Sequence, residues 1–486
     1  MDILEKYKIT GITCDSRKVK KGNIFVAIKG RKKDGNNYIK EAIKKGAAVV
    51  ITDKKIKKNT SIPIIRVKDA REYLGKLAAG FYQHPSKQIK VIGVTGTNGK
   101  TTTTHLIYNL LNIKEKTCGL IGTVKVDTGK NTKKGNLTTP QAVILQQQLQ
   151  EMIKQDLKYC SIEVSSHGVK LKRIKDVNFA LKIGTNITSD HYDLHPNFSD
   201  YVLAKKEFLK TSNPLIPVLI NGDDQYLTNF KKDISNLIIY GINNPSTIQA
   251  KNIRQKNNHT YFKYVLNKKL LNSSFKPGPC SFKIKMKLPG LHNIYNAIIA
   301  ITIGLYYGLP VLDIKKFFRN YQGVWRRMQI IYNNKFKIID DCAHNPGSYN
   351  AVFQTIKKMK YNNLYIINAI RGNRGQKINR ENAEVISKQL QQIKDYKLFI
   401  TNCEDTAGRL DKVKPTEEKK FLTVLNKKHI LYEHYYYLKR CLQNVFTQIK
   451  KDDILLLLGA HPMDNAGNMA LSLLKNIENE NKHIKL

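Results

Sequence analysis

IGVTGTNGKTTT, Ile92 to Thr103, sets an apolar run, a glycine-rich turn and a lysine–threonine pair in direct succession. IKVIGVTG, from Ile89, predicts a buried strand. TTTTHLIYNLL predicts a helix from Thr101 with Leu106, Ile107, Leu110 and Leu111 on one face. The standard phosphate loop has four residues between its first glycine and the Gly-Lys pair. Here Gly93 and Gly99 enclose five, and Gly96 falls three before Gly99. The chemical parts are nevertheless complete. Gly96 and Gly99 let backbone amides approach an anion without an intervening Cβ. Thr97, Asn98 and Thr102 fill out a loop that ends on a helix N-terminus, where free N–H groups favour negative charge. Lys100 can reach the β- and γ-phosphates, and the Thr101 hydroxyl can ligate Mg²⁺. A polar turn with a threonine cap is the simpler alternative.

The chain has 486 residues, more than one core accommodates, so two or three domains are expected. No apolar run approaches the ~20 residues that span a bilayer. MDILEKYKIT lacks the apolar core of a signal peptide, so a cytosolic, membrane-free protein is expected. The net charge is +45, from 83 Lys+Arg against 38 Asp+Glu, which invites a nucleic-acid reading. The lysines are spread along the whole chain, however, and accompany abundant Asn and Ile, as in proteins of AT-rich genomes. Nucleic acid is therefore not the expected partner. The seven cysteines form no CxxC pair and are odd in number, which argues against zinc and against a disulfide framework.

Three sections follow from the pattern. Residues 1–88 carry the short elements NIFVAIKG, YIKEAIKKGA and AAVVITD, and HPSKQ (His84 to Gln88) is expected to link onward. Residues 89–322 alternate strands such as YCSIEV, FALKIGTNI and PVLING with helices, the pattern of a mainly parallel sheet covered on both faces. Residues 237–288 are expected to be more β-rich, before the apolar helix LHNIYNAIIAITIGLYYGL. Residues 323–486 offer FKIIDD, LYIINAI, KLFITN, HILYEHY and DILLLLGAH as strands of a Rossmann-like α/β domain. In the middle section Glu163 ends one strand and His191 follows another. Strand carboxyl ends form the ligand crevice of such sheets.

TGTNGKTT resembles the ATP loop of the Mur ligases and folylpolyglutamate synthetases, enzymes that form amides at the expense of ATP. CDSRKVKKGNIFVAIKGRKKDGNNYIKEAIKKGA, LTTPQ, EVSSHG and TNITSDHYDLH match the MurE-type branch of the Mur ligase family in order, through nearly all of the first two sections. The resemblance implies a three-domain α/β fold: a uridine-nucleotide-binding domain, a central ATP-binding domain and a Rossmann-like amino-acid-binding domain. It implies Ser16, Arg31, Lys32 and Lys33 near a UDP moiety, and Thr138, Thr139, Ser165 and Arg173 along a UDP-sugar-peptide. It makes Glu163 and His191 ligands of a second Mg²⁺. In YVLAKKEFL, Lys205 takes the place of a lysine that the family carbamylates. An N6-carboxylysine there supplies the oxygens a hard cation prefers. A solvated helix charge is the ordinary reading of such a lysine. LPGLHNIYNAIIA resembles the family's G-x-x-N-x-x-N helix, with Asn293 structural and Asn296 near adenine. GVWRRMQ points to Arg327 at an ATP phosphate. IDDCAHNPGS brings Asp341 and His344 to the nucleotide, in a wording (AHNP) closer to the folylpolyglutamate form than to AHTP.

The match weakens downstream. Leu171 stands where many relatives have glutamine. RGNRG, Arg371 to Gly375, is a candidate anion-binding loop where the family has a GGDR-like segment. FITNCEDTAG places Cys403-Glu404-Asp405-Thr406 where diaminopimelate-adding enzymes carry DNPR, so no arginine is available there to pair with a carboxylate. Glu404 and Asp405 offer a site for a cationic amino acid instead, and GAHPMDNAG replaces a GKGHE-type motif. The expected activity is ATP-dependent addition of a free amino acid to a UDP-N-acetylmuramoyl-dipeptide through an acyl phosphate, catalysed around Lys100, Glu163, His191 and Lys205 with ATP and Mg²⁺, by a monomer. The alternatives are a ligase of different acyl or amine substrate, a nucleotide-dependent nucleic-acid-binding protein and a catalytically retired relative.

Overall fold

The computed structural model describes residues 3–30, 33–56, 60–188, 194–211, 213–256, 259–267 and 278–483, with side chains as far as residue 479. Three α/β units follow one another along the chain. In the first, the strands Gly11–Thr13, Asn23–Ala27, Val49–Thr52 and Ile64–Arg66 lie side by side in sequence order, all parallel. The helix Ala70–Phe81 buries Leu74 and Leu77 against Ile24, Val26 and Ile51 on one face, and Ile39 and Ala42 cover Phe25 and Val50 on the other. HPSKQ is more than a spacer. Pro85 and Ser86 are buried in a short 3-10 turn, and the Ser86 hydroxyl accepts the Asn178 N–H at 3.0 Å, so the joint packs onto the second unit.

The second unit holds an eleven-stranded sheet. Its parallel centre runs, in spatial order, Leu237–Gly241, Val218–Asn221, Phe179–Gly184, Lys90–Thr95, Tyr159–Glu163 and Cys118–Ile121. The helices Lys100–Leu111 and Leu291–Tyr306 pack on one face, and Ala142–Ile153 and Phe198–Leu209 on the other. Burial on both faces explains why these strands read as continuous apolar runs. The β-rich stretch becomes Ile248–Lys256, His259–Leu266 and Cys280–Met286, joined as antiparallel neighbours at one edge. Lys90–Thr95 sits between strands that run outward in opposite sequence directions. This is the switch point where open α/β sheets form a crevice beyond their strand carboxyl ends.

The third unit orders its strands Gln329–Asn333, Lys337–Asp341, Ile454–Leu458, Leu364–Ala369, Tyr396–Thr401 and Glu433–Tyr435, parallel except for the first. HILYEHY yields only the three-residue edge strand, because Leu431 ahead of it is exposed rather than packed. Among the described residues, no helix is long and apolar enough to cross a membrane.

Candidate functional site

The glycine-rich loop closes over the end of the Lys90–Thr95 strand, and the helix begins at Lys100, one residue before the sequence suggests. Gly99, at φ +85°, occupies the cap position instead of a threonine. Glycine is required at two points. A Cβ on Gly96 would stand 1.8 Å from the Thr185 hydroxyl, and one on Gly99 would stand 2.7 Å from Asn296 Oδ1. The residues between them are pinned by the TNIT segment. Asn186 O accepts the Thr97 N–H (2.8 Å), Asn186 Oδ1 accepts the Asn98 N–H (3.0 Å), and Thr185 Oγ1 donates to Asn98 O (2.6 Å). The additional loop residue is thus tied to the neighbouring strand end. Lys100 folds back over the loop, donating to Gly96 O and Thr97 O, both at 2.8 Å.

A carboxylate lies beside the helix N-terminus. Glu163, 1% exposed, accepts the Thr101 hydroxyl at 3.0 Å on Oε2 and the Thr123 N–H at 2.7 Å on Oε1. Its other neighbour must be glycine, since a Cβ on Gly122 would approach Glu163 Oε1 to 2.4 Å. Lys205 is also buried, at 1% exposure. Its Nζ donates to Gly96 O at 2.9 Å and lies 4.5 Å from the Tyr201 ring centroid. The Tyr201 hydroxyl in turn pairs with Thr97 Oγ1 at 2.9 Å. This donor set suits a hard divalent cation: one carboxylate and one hydroxyl at a helix N-terminus, with phosphate and water to complete the shell. Among the described residues no three His, Cys, Asp or Glu are placed to hold a metal ion by themselves, and His191 lies outside them.

Thr138, Thr139, Ser165 and Arg173 form one continuous network leading from Glu163. Thr139 Oγ1 donates to Glu163 O (2.8 Å) and pairs with Ser165 Oγ (3.0 Å), which caps the turn at Gly168 N. Thr138 Oγ1 accepts the Thr123 hydroxyl at 3.0 Å, and Arg173 donates to Thr139 O at 2.8 Å. Burial, with Arg71 nearby, lowers the Arg173 guanidinium pKa. The first unit docks beside this turn, with Lys172 held by Asp69 (2.6 Å) and Glu72 (2.8 Å). Ser16 and Lys33 stand apart from it. The Ser16 hydroxyl donates to Glu41, and Lys33 lies over the Tyr38 ring. Arg31 and Lys32 fall outside the described residues.

The third unit faces the loop across a cleft of about 790 Å³, lined by Thr97 to Thr102, Glu163, Ser165, Arg173, Asn296, Arg327, Asp341, His344, Arg371 and Arg374. Of the twin arginines, Arg326 is buried structural cement on Asp340, Asp464 and Gly459 O. Arg327 reaches the Thr101 hydroxyl at 3.3 Å. Burial pushes the Asp341 carboxyl up to about 7, against the pull of Arg327, and its Oδ2 accepts the Met328 N–H. Asn345, beyond His344, exchanges paired amide hydrogen bonds with Asn98 of the loop at 3.2 Å each way. Asn296, expected near adenine, sits beside the loop with its amide oxygen accepting the Thr103 hydroxyl (3.0 Å). Asn293 anchors its helix start through Pro289 O. Thr123, Asn186, Tyr201 and Asn345 were missed from the sequence. Asn186, Tyr201 and Asn345 lie inside motifs already singled out, whereas Thr123 carries no local signal.

Two expectations change. Asp405 is engaged by the helix Leu438–Gln448, whose Leu438 and Lys439 N–H groups it accepts at 3.0 Å. Cys403 is buried against Met463. Neither Glu404 nor Asp405 lines the cleft, so the acidic pair offers no binding site there. The RGNRG loop does face the cleft, but its backbone nest is filled from behind: Glu417 accepts the N–H groups of Asn373 (2.8 Å), Arg374 (2.8 Å) and Gly375 (2.5 Å). An external anion meets arginine side chains there instead of amides.

Comparison with known proteins matches three consecutive family descriptions: "Mur ligase family, catalytic domain" over residues 8–82, "Mur ligase middle domain" over 94–304, and "Mur ligase, glutamate ligase domain" over 326–461. Proteins named UDP-N-acetylmuramoyl-L-alanyl-D-glutamate--2,6-diaminopimelate ligase are similar along much of the chain. The protein from Clostridioides difficile is 34% identical over 72% of this chain and 70% of its own length. That from Oceanobacillus iheyensis is 33% identical over 79% and 77%. A solved structure of a ligase with this name covers 96% of the chain and 95% of its own at TM-score 0.65 and 21% identity. A MurF ligase from Thermotoga maritima in complex with ADP covers 98% and 99% at TM-score 0.65 and 18% identity.

Proposed function

The chain belongs to the Mur ligase family of ATP-dependent ligases, and on that premise we propose that it joins a free amino acid to UDP-N-acetylmuramoyl-L-alanyl-D-glutamate in peptidoglycan precursor synthesis. One observation carries this reading. The Thr101–Glu163 pair at the loop shares a single cleft with Arg173 on one side and with Arg327, Asp341 and His344 of the third unit on the other. On this reading nucleotide, acyl group and amine would occupy adjoining parts of that cleft. We also propose unit boundaries at 88/89 and 322/323.

A carboxylate oxygen of the acyl substrate attacks the γ-phosphorus of ATP and ADP leaves. The amine then attacks the acyl phosphate, and phosphate leaves with the substrate's oxygen as the amide forms. Gly96 to Thr102 bind the phosphates through backbone amides, and Lys100 and Arg327 neutralise the charge that spreads over the transferring group. Thr101 and Glu163 would hold Mg²⁺, together with Lys205 as a carbamate and His191, and the metal would supply phosphate charge neutralisation. Thr138, Thr139, Ser165 and Arg173 orient the acyl substrate, with Ser16 and the 31–33 segment at its uridine end. The third unit's approach excludes water that would hydrolyse the acyl phosphate. The test is isotopic. With ¹⁸O in the acyl carboxylate, one label is expected in the released phosphate, and phosphate free of label contradicts the acyl-phosphate route.

A second reading, a ligase of the same chemistry with a different amine, is favoured by one feature. Residues 403–406 offer no arginine, and their side chains lie away from the cleft.

A further inference from the structure

The lysines are spread along the sequence, but the fold gathers one set of them. From Ile234 to Leu312 the chain holds ten Lys and Arg and no Asp or Glu. The edge strands Ile248–Lys256, His259–Leu266 and Cys280–Met286 carry six of the ten. Phe262, Tyr264, Leu266, Ile284 and Met286 point inward and join the core on the helix Leu291–Tyr306. The residues alternating with them point outward, and the strand register sets them in rows. Lys251, Lys263 and Lys283 stand opposite one another across the three strands, and Arg254, Tyr261 and Lys285 form the next row. All six are exposed or half-exposed. Among the described residues, no ion pair holds any of these five cations.

Like charges at directly opposite positions destabilise a sheet, because their Cβ atoms stand only about 5 Å apart. Three lysines in one row therefore oppose the fold instead of supporting it. Aromatic rings lie among them. Lys285 Nζ is 5.8 Å from the Tyr261 ring centroid, and the His259 ring is 6.3 Å from Tyr261 on the same strand. A bias toward lysine raises the number of cations everywhere. It does not clear carboxylates from one sheet face or set rings between the cations. None of these residues lines the cleft, so the ligase reaction does not account for them.

We propose that this outer sheet face binds a single-stranded nucleic acid, with phosphates along the lysine row and bases against Tyr261 and His259. A cationic track for the backbone and ring faces for the bases are the two parts of a sequence-tolerant single-strand site. A duplex keeps its base faces stacked on one another, and an anionic membrane has none to offer. Phosphates and base faces are common to RNA and DNA, so both are expected to bind.

The experiment titrates the full-length chain into labelled oligouridine or oligothymidine of about 20 nucleotides, by fluorescence anisotropy at several salt concentrations. Five phosphate contacts predict a slope of log K against log salt of about −3.5. Lys251→Gln/Lys263→Gln/Lys283→Gln should weaken binding at least about tenfold at low salt and flatten the slope by about 2. This variant should melt no lower than the native chain, because it relieves repulsion, so lost binding is not lost folding. Tyr261→Ala should weaken binding at least about fivefold and leave the slope unchanged. Lys419→Gln/Lys427→Gln/Lys428→Gln removes the same charge from exposed positions on the third unit and should change binding by less than about twofold. Equal weakening by that control, or binding of a duplex as tight as the single strand, reduces the effect to diffuse charge and overturns the proposal. Native affinity in Tyr261→Ala overturns it as well. A face variant that loses phosphatidylserine vesicles but keeps the oligonucleotide reassigns the surface to lipid and also overturns it.

Discussion

Gly96 shows how far single residues were legible. Its place in TGTNGKT marks a phosphate loop, but the reason it must be glycine lies ninety residues away, in the Thr185 hydroxyl at 1.8 Å from the missing Cβ. Gly96→Ala combines that clash with a φ of +146°, which L-residues rarely adopt. It should cost about 2–4 kcal/mol in denaturant unfolding and abolish ATP binding; a variant of native stability would contradict the close approach. Asp341 gives a prediction in pH. Its folded-state pKa, pushed up by burial to about 7, lies above the ordinary 3.8, so its contribution to stability is fully present below 3.8 and is lost as pH rises through about 7. Asp341→Asn, which cannot ionise, should therefore gain on the native chain between pH 4 and 8, by on the order of 4 kcal/mol. A stability difference that is flat with pH contradicts the assignment. Loop composition singled out Lys100 and Thr101, strand-end position Glu163, and family resemblance Arg327, and all four line the cleft. None of these signals reaches Thr123, whose contacts exist only once distant strand ends meet.

At the scale of elements, the helix Pro346–Ile356 is instructive. Asn345 caps it, accepting the Ser348 N–H at 2.9 Å, and also pairs its amide with Asn98. The two roles separate by substitution. Asn345→Thr keeps a capping oxygen and loses the amide pair, whereas Asn345→Ala loses both. The alanine variant should be less stable than the threonine variant by about 1 kcal/mol, and both should weaken ATP-dependent turnover. Equal stability of the two would refute the capping role. The parallel strands were legible because burial on both faces leaves unbroken apolar runs. The start of the helix after the phosphate loop was misplaced by one residue, because threonine's cap preference suggested a start that Gly99, in its left-handed conformation, overrides. HPSKQ links the first two units as expected, but a polar, proline-containing run gives no sign that Ser86 will accept a distant N–H.

In the whole molecule the second and third units meet at the cleft. Lys134 of the second unit pairs with Asp464 of the third at 2.8 Å, while Arg327 and Asn345 reach across to the phosphate loop. Lys134 is largely solvated, so Lys134→Ala should change unfolding stability by less than about 1 kcal/mol. Any effect should be salt-dependent, and a larger loss at high salt would contradict a surface pair. Three-unit organisation was legible from length and strand–helix alternation, but the shared cleft was not, since no sequence pattern reports how units face each other. The cleft wall at Arg371 to Gly375 was least legible, because its backbone N–H groups are held by Glu417, some forty residues downstream. The central claim is that the cleft couples ATP to amide formation. Phosphate release with ATP, Mg²⁺ and UDP-N-acetylmuramoyl-L-alanyl-D-glutamate, measured across a panel of amino acids, tests it most directly. Release that depends on at least one amino acid, in equal amount to a new amide product, is the expected result; release indifferent to every amino acid would contradict the account.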